Sequence, residues 1–374
     1  MANTLTSALP TLISTFQSVL REATGFIKKT NTDFNDQGAA KDTSVTIPIG
    51  GAMTAADVTP AIATSAGSNT TLGSLTHTLD KYRKVSFHLT QEEVVALREN
   101  REGFTSNRVA QAIRTLVNEI ETDIGAEAKT ASRAVGAGGT TPFASNHDVL
   151  ADLGQILDEN GVEAAGRNFV MDSAAKNNLS KLSTLLDASA LGSDAMNQNG
   201  AIGRLDGFDL GHSLQVGSAT KGTGSSYISD GGSAIGATSI PIDTGSGTVL
   251  AGDLVKFGSD TNVYVVTTGV VAAGTITIAE PGLKVALADS GTMTIQTNGV
   301  QNFGFTTDAI AVSVRPPIRD DADQADEIIL ISDPDTGLTF ELAHYPQYRQ
   351  GAWEMSCLWG VTNVHPEKTA MLIG

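Results

Sequence analysis

At 374 residues the chain exceeds one ordinary domain of ~100 to 200 residues, and its 40% hydrophobic content supports sizeable cores and argues against a disordered chain. A formal net charge of −17 argues against gripping phosphate backbones, an affinity that comes from Lys and Arg. The single cysteine, Cys357, excludes an intrachain disulfide, so a reducing cytoplasmic origin is expected. No apolar run approaches the ~20 residues that span a bilayer, and the N-terminus lacks the basic and apolar regions of a leader peptide.

In chain order, Leu5 to Lys29 places Leu9, Leu12, Ile13, Phe16, Val19, Leu20 and Ala23 at helical spacings and reads as an amphipathic helix. Such a helix docks either on its own domain or on a partner. A polar break, Asn31 to Asp42, follows. The runs Thr43 to Ile49 and Leu75 to Leu89 alternate and predict two strands. Between them, Gly50 to Ser74 is poor in large side chains and reads as the tip of a long projecting hairpin. Tyr82, Phe87 and Leu89 are read as one face of its alternation, with Leu79 and Val85 among the residues between them.

A short helix is expected at Gln91 to Asn100. Ser106 to Arg133 then carries Val109, Ile113, Leu116, Val117, Ile120 and Ile124 on one stripe, which predicts the longest helix of the chain, a strut ended by the Gly-rich linker Gly136 to Thr141. An α/β block follows: helix Asn146 to Asn160, strand Asn168 to Met171, and helix Ser173 to Leu186 capped by Asp172 or Ser173. Asp187 to Gly207 reads as loop and Phe208 to Val216 as strand. From Ser218 to Gly299 short β-branched runs alternate with Gly, Thr and Ser turns, predicting a small all-β insert. Phe303 to Val314, Glu327 to Ser332, Leu338 to Tyr345 and Trp353 to Val364 are expected as further strands, parted by the acidic turns Asp320 to Asp326 and Asp333 to Gly337. Cys357, in the apolar stretch Trp353 to Val361, is expected to be buried.

Catalytic chemistry finds no constellation. His77, His88, His147, His212, His344 and His365 are scattered, and no G-x-S-x-G elbow accompanies them. The glycines of Gly222 to Tyr227 fall short of a dinucleotide fingerprint, and no Walker-type Gly-Lys-Ser/Thr exists. Metal signatures of the H-E-x-x-H, paired-Cys or EF-hand type are missing, and Asp320, Asp321 and Asp323 read as a solvated turn. The expectation is therefore no enzyme, no cofactor and no metal. An enzyme reading would need His212, Asp209 and Asp206 gathered in a deep pocket.

The order of helical arm, long hairpin, strut helix, α/β block and returning strands resembles the Hong Kong 97 fold of tailed-phage major capsid proteins. The stretches GDLVKFGSDTNVYVV with ITIAEPGLKVAL, and then QNFGFTTDAIAVSVRPP, resemble coat proteins of short-tailed phages, in which an insertion domain leaves and rejoins the axial domain. The resemblance implies an α+β chain divided into an N-terminal arm (1–42), an E-loop hairpin (43–90), a peripheral domain with spine helix (91–141), a first axial part (142–217), a β-rich insertion domain (218–300), and axial and β-hinge return strands (301–374).

It also implies a shell of pentamers and hexamers in an icosahedral lattice, a scaffolding and a portal protein as partners, enclosed double-stranded DNA without specific binding, no membrane, and a place in the virion. Intersubunit contacts are expected at Phe16, Leu20, Val45, Ile47, Leu75, Leu79 and Tyr82. Some relatives weld their shells through a hairpin lysine. Here the tip has none, and the nearest, Lys41, Lys81 and Lys84, lie at its base. The chain starts almost at once with the arm helix, so a separate scaffold is expected. A tail component or adhesin is the rival reading, because Gly/Thr/Ser-rich β segments are common there; the strut helix and α/β block speak against it.

Overall fold

The protein is seen in a computed structural model that describes residues 24–34, 38–50, 55, 57–58, 60, 72–97, 101–182, 203–319, 325–332 and 336–374. Phe16 and Leu20, most of the hairpin tip, residues 187–202 and much of both acidic turns lie outside them. The last residues of the expected terminal helix, Ile27–Lys29, form a 3-10 turn.

The period-3.6 stripe does what its spacing predicts. Arg101–Ala126 is one helix of 26 residues, ~39 Å long at 1.5 Å per residue, and Val109, Ile113, Leu116, Val117, Ile120 and Ile124 are all buried. They pack against a six-stranded sheet built around the 14-residue strand Gln350–Asn363. Pleating sends successive side chains to opposite faces. Trp353, Met355, Cys357 and Trp359 therefore turn inward to the helix, and the Trp359 indole N–H donates to Asp123 Oδ2 at 2.7 Å. Cys357 is fully buried, which pushes its thiol pKa up.

Residues 350–356 of this strand lie between Lys81–Thr90 on one edge and Thr339–Gln347 on the other, and Ile310–Arg315 continues the second edge along residues 358–363. Glu327–Ser332 pairs outside Thr339–Gln347, and Asn31–Phe34 adds in parallel beside Ile310–Arg315.

The second sheet has 13 strands. Its central members, Arg167–Met171, Gly299–Thr306 and Thr369–Ile373, are buried almost throughout. Helices Asp148–Glu159 and Ser173–Lys181 cover it with Leu150, Leu153, Leu157 and Leu179. Asp172 is the cap of the second helix, accepting from the N–H groups of Ala174 and Ala175 at 3.1 and 2.9 Å.

Several elements depart from the reading of periodicity. Leu75 to Leu89 is two strands: Gly73–Thr78 pairs with Ser44–Ile49 in a separate two-stranded hairpin, and Lys81–Thr90 joins the six-stranded sheet. The chain turns at Leu79 and Asp80, so the two halves face different partners. Val85, Phe87 and Leu89 share the inner face, and Tyr82 lies on the outer one. Phe303 to Val314 likewise breaks at residues 307–309, and its halves enter different sheets.

The long helix ends earlier than its apolar stripe suggests. Glu127–Thr130 tightens into a 3-10 turn, and Arg133–Gly136 becomes a strand because two partners bracket it: Thr369–Ile373 in parallel and Val263–Thr268 antiparallel.

Residues 218–299 surround a core of their own, with Tyr227, Ile240, Tyr264, Val266 and Ile276 buried in it. The insert nevertheless continues the main sheet through Tyr264 opposite Arg133. Arg133 is 2% exposed and donates to Glu159 Oε2 and Asn262 Oδ1, both at 2.7 Å, and to the Ile156 carbonyl at 3.2 Å. Lys284 adds a bond from the insert to the Glu159 carbonyl at 2.9 Å. One guanidinium thus ties helix, strand and insert. Replacing Arg133 by Met should cost about 1–3 kcal/mol, because the buried Ile156 carbonyl and the partly exposed Glu159 and Asn262 oxygens lose their donor; a denaturant midpoint equal to that of wild type would show that the pin is dispensable.

Candidate functional site

The candidate site is the hairpin and its mounting. Its register opposes Val45 to His77 and Ile47 to Leu75, so Val45, Ile47, Ile49, Leu75 and His77 share one face and Ser44, Thr46, Ser74, Thr76 and Thr78 the other. Ile47 and Leu75 are half-buried, and Val45 is 61% exposed. A two-stranded hairpin is marginal in water by itself. Its apolar face meets the six-stranded sheet at His77 and is exposed farther out at Val45.

The mounting is polar and close-fitting. His77 is buried, and its ring nitrogens meet Thr362 Oγ1 at 2.8 Å and Ser313 Oγ at 3.0 Å, on two strands of the six-stranded sheet. Backbone bonds close the root: the Leu79 N–H donates to the Thr43 carbonyl at 3.0 Å and the Asp42 N–H to the Leu79 carbonyl at 2.8 Å. Gly360 permits the approach, since a Cβ there would stand 2.1 Å from the Thr78 carbonyl oxygen. Leu79 is buried at this root, in contrast to its expected neighbours at an interface.

Beyond the root the sheet's outer face carries Tyr82, Lys84 and Glu354. Tyr82 is 45% exposed, and partial burial raises its pKa. Lys84 donates to Glu354 at 2.8 Å, and that hydrogen bond raises the lysine pKa. Lys81 stands 3.9 Å from Asp123. Arg319 lies over the same face, donating from Nε to Glu341 at 2.7 Å, and its guanidinium sits over the Tyr345 ring.

No family model matches the sequence, and no curated protein matches it. Solved structures do match. A chain in the capsid structure of the cyanophage P-SCSP1u has a TM-score of 0.52 at 12% identity, over 94% of this chain and 88% of that one. The fold is a capsid-chain fold. A chain in the capsid of a native GTA particle agrees, with a TM-score of 0.50 at 12% identity, over 94% of this chain and 90% of that one.

Within this capsid-type fold the three polar residues named for an enzyme are not gathered. Asp209 pairs with Lys29 at 2.9 Å, Asp206 faces His147 at 3.9 Å, and His212 meets Ser173 Oγ at 3.0 Å. Burial, together with nearby Lys176, lowers the His212 pKa. Three clefts of 400, 510 and 410 Å³ are lined by other residues than His212. Among the described residues no group of three or more His, Cys, Asp or Glu could hold a metal ion, and no helix is long and apolar enough to cross a membrane.

Sequence reasoning missed His77, Gly360 and Arg319. Only Gly360 had a signal, as an isolated glycine within an apolar strand, where another backbone often comes close. Gly360→Ala should push the hairpin root off the sheet and accelerate amide hydrogen exchange at residues 73–80 while the long helix stays protected. Unchanged exchange there would show that the close approach does not hold the hairpin.

Proposed function

We propose that the chain is the major capsid protein of a tailed phage, a Hong Kong 97-like subunit that self-assembles into the icosahedral shell around the genome and catalyses no reaction. The observation that carries the reading is the fold match to capsid chains over 94% of the sequence. The hairpin adds a physical reason. A thin subunit gains stability from loops that overlap neighbours and bury surface only on assembly, and exposed Val45, beside half-buried Ile47 and Leu75, offers apolar surface for such burial.

In this reading residues 1–42 are the N-terminal arm, 43–90 the E-loop hairpin, 91–141 the peripheral domain whose spine is the Arg101–Ala126 helix, 142–217 and 301–374 the axial domain and β-hinge, and 218–300 the insertion domain. Val45, Ile47, Leu75 and Tyr82, with Phe16 and Leu20 of the arm, touch neighbouring subunits; buried Leu79 anchors the hairpin to its own. The partners are further copies in pentamers and hexamers, a scaffolding protein and a portal protein. Double-stranded DNA is enclosed without specific binding, in keeping with the net charge of −17. The finished protein resides in the virion.

Electron microscopy and sedimentation of the purified chain, expressed with and without its scaffold, test this. Uniform closed shells with scaffold and irregular ones without it are expected; a small oligomer under every condition would overturn the reading. Particles boiled in detergent should run as monomers, because Lys81 and Lys84 face acidic partners in their own subunit and the tip has no lysine. A ladder of covalent oligomers would contradict that.

A further inference from the structure

We infer that Glu121 is the positioning residue that fixes the segment Gly25–Ile27 on the long helix, and that assembly depends on it. The inference rests on the capsid reading. Glu121 lies on the long helix and is 2% exposed. Its Oε1 accepts from the backbone N–H groups of Phe26 and Ile27 at 3.1 and 3.0 Å. Its Oε2 accepts from Phe26 N–H at 3.2 Å and from the Ser213 hydroxyl at 3.0 Å. The Gly25 N–H also bonds to it.

Three successive N–H groups thus converge on one carboxylate, as in the anion-binding nests that backbone turns form. The anion comes from the protein's own helix, 94 and 95 positions away in sequence. No salt bridge to Glu121 is formed among the described residues, so neutral dipoles alone compensate the charge. Burial pushes the carboxyl pKa above its ordinary range, against those hydrogen bonds. A buried carboxylate without a cation is costly. The fold tolerates it where Gly25–Ile27 meets the long helix.

The surroundings close on the same three residues. A Cβ on Gly25 would stand 2.5 Å from the His212 carbonyl oxygen, so the chain passes tight against the end of strand Phe208–His212, just before Ser213. Phe26 is fully buried and stacks on Phe305 with ring centroids 6.3 Å apart. Gly125, one helical turn beyond Glu121, leaves room for that ring, since a Cβ there would meet it at 3.3 Å. After the buckle, the Lys29 N–H donates to the Phe26 carbonyl at 2.9 Å and the chain turns into its strand. An apolar anchor alone would fix depth; the carboxylate, which requires its donors in line, fixes orientation.

Glu121→Leu removes both acceptor oxygens while keeping the site filled, so it opens the buckle without emptying the core. Limited trypsin digestion reads the buckle directly, because Lys28 and Lys29 follow it. The variant should melt cooperatively, be cut after Lys28 or Lys29 about tenfold faster or more, and form no regular shells with scaffold. Gly25→Val, an independent lesion on the opposite side, should reproduce both effects, and Ser213→Ala, which removes one donor, should show them weakly.

If wild type makes shells and both Glu121→Leu and Gly25→Val make the same shells, the inference fails while the capsid reading stands. Trypsin resistance equal to that of wild type in both variants would also overturn it. If wild type itself never makes shells, the capsid reading fails, and the digestion result alone then decides whether Glu121 holds the segment.

Discussion

One packing relation organises the molecule: the inward face of Gln350–Asn363 against the apolar stripe of the Arg101–Ala126 helix. Trp353, Met355, Cys357 and Trp359 supply one side, and Ile113, Leu116, Ile120 and Ile124 the other. Burying a large apolar side chain contributes about 1.5–3 kcal/mol, so this seam gathers several of the largest single contributions in the chain. The same helix also reaches Phe303 and Phe305 of the second sheet, which makes it the member common to both layers. Because it is rigid and long, whatever is mounted on it keeps a defined geometry over its length.

The functional attachments are mounted differently. The hairpin root, the insert and the N-terminal segment are each held by a buried or nearly buried polar side chain: His77 between Thr362 and Ser313, Arg133 among Glu159, Asn262 and Ile156, and Glu121 beneath Phe26 and Ile27. Apolar contacts are non-directional, whereas hydrogen bonds weaken steeply when misaligned. Directional fixings therefore set the angle at which each of these three segments meets the body, which apolar packing alone would leave free. The hairpin face that carries His77 is docked at its root and exposed farther out at Val45.

How much of this was legible in the sequence depended on whether a period survives folding. The helix stripe from Val109 to Ile124 and the half-buried strands did, because one face of each is buried. Thr369–Ile373 did not: both its faces are covered, so it reads as a short apolar run without alternation. Asn31–Phe34 is polar and becomes a strand through parallel pairing with residues 311–314. The turn at Leu79 and Asp80 has neither Gly nor Pro to announce it. At the site, the apolar hairpin residues were readable, but Leu79 looks the same as Leu75 until its partners are known. The anchoring of His77 depends on residues 236 and 285 positions away, which no local pattern encodes.

The most direct measurement is an electron cryomicroscopy reconstruction of particles assembled from this chain. The account predicts a subunit whose helix and two sheets match those described here, with Val45, Ile47 and Leu75 covered by a neighbouring subunit while His77 keeps its bonds to Thr362 and Ser313. A shell in which this hairpin face remains in solvent, or particles from which this chain is missing, would contradict it.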